Sequence, residues 1–600
     1  MTYRKDIDAL KGLAILAVVL YHMGLLKSGY LGVDAFFVIN GFLVVPSIIR
    51  RIEADEFSFF KFIEQRIFRL LPLVVVASIV CLAIGALGML PDDYENLAES
   101  VVASNLFSEN ILSAITTKDY WNAINDYKPL MHLWYVGILF EFYVTFPLII
   151  LLTRFVKKKI IKTQDSSSLF TITVLLAISI VLYCLPFAPE SSKFYFVQYR
   201  YFEILLGGVV GLTSLPEKKA SKISTVPFFL WIFVVFSGII TFDVNSIGTN
   251  LPVIGTAVRE TNNALITDKS SLLLLTTVIS GVVLSRNNSN SRGLSNSVLA
   301  EIGKRSYSIF IWHQILLAFY RYFYSKEITV LFVICYLIAV AVLSEISYRF
   351  IEKRLKLSRK TFGFLIATTI ITTVFASIIY LRAGVIRDVP EQNIVANDVT
   401  RNMHAKYVDR VYRYDKEFPE NNHKINVIVE GVSFGRDFAN ILLESDYADK
   451  INLSYIFKWD ISDIYRIKNA DYIFTFSSKL EVPQYVWNNK KIAADVYGIG
   501  TKNYGESNGS IYRKRNRENY FESTIVPDEG YVRLNEQWRD EWGKYYIDFI
   551  QMASTEDGMI RVFTPEGKFI SQDCSHLTEE GAKWYAKIID WDSIFSNKQY

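Results

Sequence analysis

At 600 residues the chain exceeds what one hydrophobic core organises, so at least two domains are expected. Half of the residues are hydrophobic and the mean hydropathy is +0.23, which points to a part embedded in a membrane. The net charge is only +4 and no basic tract is interleaved with aromatics, which excludes a nucleic-acid surface. The four cysteines form no CxxC pair, which excludes a disulfide framework and a zinc site; no metal is expected. Acidic Asp6 and Asp8 open the first apolar run and a second run follows almost at once, so the start is not a cleavable signal.

Apolar runs long enough to cross a bilayer, or nearly so, lie near 9–26, 33–49, 68–90, 133–153, 169–188, 198–214, 226–243, 270–286, 306–323, 328–348 and 361–383. Basic residues fall on alternate connections: Arg50, Arg51, Lys61, Arg66 and Arg69; RFVKKKIIK; PEKKASK; Arg286, Arg292, Lys304 and Arg305; YRFIEKRLKLSRK. The connection after the third run is acidic, PDDYENLAES. This pattern places the N-terminus in the cytoplasm, and eleven crossings place everything after about residue 384 outside.

The same topology sorts the polar residues. Lys11 and His22 share one face of the first helix, about 16 Å apart along its axis, with apolar Ile15 and Val18 between them. Lys11, Arg66 and Arg69 fall on the inner side, and His22 and His132 toward the outer side. His313 is near the middle of the ninth run. Arg200 and Glu203 are three apart on a helix, as are Arg349 and Glu352, so each couple is expected to pair. Cations inside and histidines outside suit a path for an anionic cargo.

Beyond the last run, RAGVIRDVPEQNIVANDV reads as a polar linker without helical pattern. From about Lys424 the composition becomes that of an α/β domain. INVIVEG is a buried strand ending in a glycine turn, and a helix opens at Ser433. Near the end, SQDCSHLTEEGAKWYAKII places Asp573 three residues before His576. A serine at a strand-to-helix turn and a late D-x-x-H assemble a triad: Ser433 attacks, His576 takes its proton, Asp573 orients the imidazole.

The words YRKDIDALKGLAILAVVLYH, GYLGVDAFFVINGFLV, FIEQRIFRLLPL, PLMHLWYVGILFEFY, QYRYFEILLGG, GKRSYSIFIWHQ and ISYRFIEKRLK come in that order. Together they resemble the membrane acyltransferase-3 family, whose members O-acylate sugars and other envelope molecules. The resemblance implies a multi-pass α-helical membrane domain over 1–355, about ten helices, and an additional transmembrane helix at 356–383. A periplasmic linker at 384–423 and a soluble α/β domain at 424–600 follow. It implies acetyl-CoA as acyl donor in the cytoplasm, no permanently bound cofactor, and an envelope glycan as acceptor. The setting is the bacterial inner membrane, with the lipid bilayer as the other partner; the oligomeric state is not legible.

The family's first motif sets a basic residue, normally Arg, eleven positions before an essential histidine. Lys11 and His22 match that spacing, although lysine lacks the bidentate fork. Arg66 and Arg69 match its paired arginines, so Lys11, Arg66 and Arg69 are the expected donor-binding residues. His22 is the expected catalytic base or acyl carrier, with His132 assisting and His313, Arg200 and Glu203 supporting. The family's fourth-helix glutamate is replaced by Leu139. Glu141 is turned about 180° from its place, so either His132 acts without that partner or a carboxylate such as Glu203 serves.

The C-terminal part resembles the SGNH hydrolase fold that some of these proteins carry. Gly431-Val432-Ser433 stands where the fold has G-D-S or G-N-S, and Gly500 and Asn503 are the nearest match to its oxyanion donors. The implied activity is O-acetylation of an envelope polysaccharide, lipopolysaccharide O-antigen first and peptidoglycan second. A membrane-anchored esterase and a transporter without chemistry are the alternatives.

Overall fold

The computed structural model describes residues 4–116, 126–157, 159, 168–213, 226–236, 269–285, 296–397, 403–420, 423–488, 495–505, 507–573 and 575–595. The chain divides into two compact units. The first comprises Met1–Ala83, Leu97–Tyr320 and Glu327–Ser377; the second comprises Ile84–Asn96, Arg321–Lys326 and Ile378–Tyr600.

The first unit is helical. Its elements, with the helix ends that pass into the second unit, are α1 (Lys5–His22), α2 (Leu31–Glu53), α3 (Phe59–Gly88), α4 (Pro91–Asn105), α5 (Glu109–Thr116), α6 (Trp134–Val156), α7 (Ser168–Cys184), α8 (Glu190–Tyr195), α9 (Val197–Thr213), α10 (Val226–Phe236), α11 (Lys269–Ser285), α12 (Ser297–Lys304), α13 (Ser306–Phe323), α14 (Val330–Ser347) and α15 (Arg359–Leu381). Each of the eleven expected runs thus contains a helix, while the run ends at 23–26, 89–90, 185–188, 328–329 and 382–383 are turn or coil. Residues 237–243 of the seventh, the PEKKASK loop, residues 158 and 160–162 of RFVKKKIIK, and Arg286 and Arg292 lie outside the described residues.

Among the described residues, five helical stretches are long and apolar enough to cross a membrane: Leu31–Glu53, Phe59–Gly88, Met131–Val156, Val330–Glu352 and Arg359–Leu381. On α14, Leu331, Ile334, Leu337, Ile338 and Val342 stay uncovered by protein, an apolar surface that a multi-pass membrane protein turns to lipid. Two helices approach much closer than side chains allow. A Cβ at Gly41 of α2 would overlap the Ile204 carbonyl, and one at Gly207 of α9 would overlap the Val38 carbonyl. Gly207→Leu is therefore expected to destabilise the helical unit by about 3 kcal/mol, the upper end of the usual overpacking cost, because the clash is with backbone. A thermal melt of the purified protein in detergent checks this, and an unchanged midpoint counts against it.

The second unit holds a five-stranded parallel sheet made of β1 (Ile425–Glu430), β2 (Ile451–Ile456), β3 (Tyr472–Thr475), β4 (Val496–Ile499) and β5 (Tyr546–Ile547), in the order β2-β1-β3-β4-β5. Val427, Val429 and Phe474 face one layer with Phe438 and Tyr585; Ile428 and Ile473 face the other with Trp538 and Trp542. Helices therefore cover both faces, as a buried parallel sheet requires. The chain reverses direction across the sheet between β1 and β3. In such sheets the reactive crevice lies at the strand C-termini beside that point, which is where Ser433 follows β1.

The linker departs from expectation. Met403–Asp409 is a helix, α16, strapped to the helix after β1, α17 (Ser433–Glu444). Arg410 reaches Asn440 Oδ1 (2.7 Å) and Glu444 Oε1 (2.6 Å), and Arg436 pairs with Asp409 (3.3 Å). The polar composition hid the helix because its stabilising partners are ionic and lie on another element.

Candidate active sites

In the first unit the three motif histidines converge. His22 ends α1, His132 lies in the 3-10 turn Met131–Leu133 that opens α6, and His313 is on α13. The His313 ring lies between the others, with centroids 5.1 Å from His22 and 5.4 Å from His132. It is fully buried. Its Nδ1 is 2.7 Å from the Phe310 carbonyl and so carries the proton, which leaves Nε2 as a buried acceptor without a hydrogen-bond partner among the described residues. Phe310 closes the group, 5.0 Å from His132.

No carboxylate joins His132 or His313 among the described residues; their neighbours are each other, His22 and Phe310. Leu139 is buried, and Glu141 is held by Asn110 Nδ2 (2.8 Å). Glu203 is engaged elsewhere. Arg200 donates to Glu203 Oε1 (2.7 Å) and to Asp34 Oδ1 (3.1 Å), with all three side chains at most 3% exposed. The expected Arg200–Glu203 pair is thus a triad, stacked under Phe194 and Trp134. Asp34 was not singled out from the sequence, although its place in GYLGVDAFF, a lone carboxylate in an apolar word, was the signal.

The basic residues do not gather as one cluster. Lys11 pairs with Asp8 (3.2 Å). Arg66 lies over the Phe62 and Tyr143 rings, its Nε buried without a hydrogen-bond partner. Arg69 is half-exposed, pairs with Glu352 (2.7 Å), and lines a cavity of about 360 Å³ with Gln65, Phe68 and Leu73. The expected Arg349–Glu352 pair does not form: Arg349 pairs with Glu345, and Glu352 with Arg69 and Ser308. The cause is local, because residues 348–352 form a π-helical turn whose wider pitch takes positions three apart off one face.

In the second unit, Gly431 adopts φ +133°, a conformation that favours glycine, and turns the chain from β1 into α17. Tyr455 Oη pins the turn by donating to the carbonyls of Gly431 (2.7 Å) and Val432 (3.1 Å). Val432 is 50% exposed, and Ser433 is the first residue of the helix. His576 Nδ1 is 2.7 Å from Asp573 Oδ2, and Asp573 Oδ1 accepts the amides of Ser575 (2.7 Å) and His576 (2.9 Å). Burial alone would raise the Asp573 carboxyl, but the His576 imidazole and those amides outweigh it and hold it below the usual range. Asp437, one turn after Ser433 on α17, accepts the amide of Leu577 (3.0 Å), so one bond ties the serine's helix to the residue after His576.

The two oxyanion candidates separate. The Gly500 amide donates to the Ile547 carbonyl (2.9 Å), so it is committed to the sheet. Asn503 accepts the amides of Gly505 (3.2 Å) and Asp528 (3.0 Å) on Oδ1, which fixes its carboxamide and leaves Nδ2 as the donor. Further carboxylates surround the dyad loop. Asp92 accepts from Gln572, and Asp93 Oδ2 accepts from the Tyr322 hydroxyl (2.7 Å); burial pushes Asp92 up to about 6 and Asp93 up to about 7.

The model of the acyltransferase domain of the acyltransferase-3 family matches residues 4–381. The chain belongs to this family. Among curated relatives, O-acetyltransferase OatA of Staphylococcus aureus (strain NCTC 8325 / PS 47) is 28% identical over 380 residues, covering 60% of this chain and 59% of that protein. The putative O-acetyltransferase SAS0844 of Staphylococcus aureus (strain MSSA476) is 27% identical over 364 residues, covering 59% and 57%. The chain thus spans about three fifths of the length of the curated relatives it matches. No solved structure matches it. As a family member it carries the three histidines within the matched region, whereas the Asp573–His576 dyad lies beyond it, in an α/β domain consistent with a fused SGNH-like fold.

Proposed function

We propose that the protein is an O-acetyltransferase that moves an acetyl group from cytoplasmic acetyl-CoA to a hydroxyl of an envelope polysaccharide. The observation that carries this reading is the convergence of partly exposed His22 with buried His132 and His313 in one group of a family acyltransferase domain. On the inner side, Arg66 and Arg69 hold the donor's phosphates. Arg66 has an orphaned buried Nε, and half-exposed Arg69 lines a cavity with its partner Glu352, from which a phosphate would have to take it over; Lys11, in the first half of α1, is already paired with Asp8. His22 draws the proton from the attacking hydroxyl and passes it to the thiolate that departs as the acyl carbon–sulfur bond breaks, or carries the acyl group itself after the thiol has left. His313 presents Nε2 between the other two rings and orients them, and His132 assists.

On the outer side Ser433 receives the acyl group and passes it to the glycan. His576 takes the proton of Ser433 as it attacks and gives it to the group that leaves the acyl carbon, then takes the proton of the glycan hydroxyl and returns it to Ser433 Oγ as the acyl–serine bond breaks; Asp573 holds the imidazole, and Asn503 Nδ2 steadies the tetrahedral oxyanion. The relatives come from a Gram-positive organism, which favours a wall glycan such as peptidoglycan over lipopolysaccharide O-antigen. Mass spectrometry of wall glycans and lipopolysaccharide from wild-type and deletion strains tests the reading. Acetyl esters are expected to disappear from one polymer on deletion, and an unchanged ester profile in both would refute it.

A further inference from the structure

We infer that Lys502 and Asp437 are a buried positioning pair that sets the alignment of the His576–Asp573 dyad. The inference rests on the reading of that dyad as the serine's proton acceptor. Both side chains are only 1% exposed, and Lys502 Nζ is 2.7 Å from Asp437 Oδ2. Nζ also donates to the Ser575 carbonyl (2.8 Å), and Asp437 Oδ2 accepts the Leu577 amide (3.0 Å). The positive end therefore holds the residue before His576, and the negative end the residue after it. Nζ lies 3.6 Å from the ring centroid of Phe434, the neighbour of Ser433, and Lys502 itself precedes Asn503. One ion pair thus fastens the serine's helix, the candidate oxyanion loop and the dyad loop.

Stability does not account for this arrangement. A buried ion pair is commonly no better than apolar residues of the same volume, whereas removal of one partner leaves an uncompensated charge. Asp437 Oδ1 is moreover buried without a hydrogen-bond partner among the described residues, a cost an apolar side chain avoids. What the pair supplies, and an apolar pair does not, is a grip on both sides of His576 at no net charge.

The charged and titratable groups around the dyad are Asp573 on the His576 loop and His404 from α16, which faces both His576 and Asp573 and also Arg436 and Asp437 of α17. Lys502 of the loop after β4 joins them, and Asp92 and Asp93 from α4 face Asp573. All but the exchanged partner persist in each single variant. Lys502→Met leaves the Asp437 carboxylate beside His576 and favours the imidazolium. Asp437→Asn leaves the ammonium and disfavours it.

The test is the pH–rate profile of 4-nitrophenyl acetate hydrolysis by the full chain in detergent. The acid limb is expected to move up by about one pH unit in Lys502→Met and down by about one in Asp437→Asn. In both, kcat falls about 10- to 100-fold with KM little changed, because the fault is alignment and not binding. Lys502→Arg keeps the limb in place and most of the rate. The apolar double variant Lys502→Met/Asp437→Leu returns the limb to its wild-type position while kcat stays low, and it gives the answer if the single variants do not fold. Limbs that stay fixed or move the same way in both single variants, or a double variant with wild-type kcat, overturn the inference. His576→Ala separates the two failures. Wild-type hydrolysis by that variant sinks the dyad reading itself, whereas an inactive His576→Ala beside unmoved limbs sinks only the positioning pair.

Discussion

Ser433→Ala is expected to cut 4-nitrophenyl acetate hydrolysis by about 10⁴- to 10⁶-fold and to remove acetyl esters from the acceptor glycan. The size follows from what the side chain does on the proposed route: no other hydroxyl heads α17 at the turn held by Gly431 and Tyr455. The helix amides at that turn and Asn503 remain, so a small residual rate over water is expected. The fold is expected to tolerate the change, because Ser433 makes no hydrogen bond among the described residues and the turn depends on glycine and on Tyr455. Esterase kinetics on purified protein and glycan mass spectrometry on the complemented strain read the two losses separately. Full glycan acetylation by Ser433→Ala would mean that the membrane part transfers directly to the sugar or that the chain moves its cargo without this chemistry.

His22→Ala is expected to give the opposite split. Glycan acetylation falls by about 10³-fold, the worth of a positioned acid–base group, while hydrolysis of 4-nitrophenyl acetate stays at the wild-type rate. The ester reaches Ser433 from solution and does not need the histidine group. His313→Ala is expected to lower acetylation less, because its ring orients and does not react. The same strains and the same esterase assay serve. Undiminished acetylation in His22→Ala would convert the protein into a membrane-anchored esterase or would move the reacting group to His132.

Much of this was legible in the sequence, for identifiable reasons. The eleven runs and the ordered motif words gave the helical unit, because apolar length is a one-dimensional property. His22, His132 and His313 each stood in a motif, but only packing shows that His313 is the middle ring. Asp34 escaped notice because its partner Arg200 is 166 residues away, and sequence spacing reveals only pairs within a few turns. Glu352 pairs with an arginine of another helix because a π-helical turn does not keep the α-helical step that sequence spacing implies. Gly500 matches an oxyanion position by residue type alone, and its amide is committed to the Ile547 carbonyl, a partner from another strand. Lys502 lay two residues from it, yet a charge after a buried strand reads as solvated until Asp437 arrives from another helix.

The contact of α2 with α9 has a mechanical consequence. Backbone meets backbone at Gly41 and Gly207, with no side chain between to act as a bearing. A slide of one residue along either axis would drive a Cβ into a carbonyl oxygen and would also pull Asp34 from Arg200. The two helices are in effect welded and travel as one body. Any displacement that admits a donor or releases a product has to be made by the other helices around this fixed post.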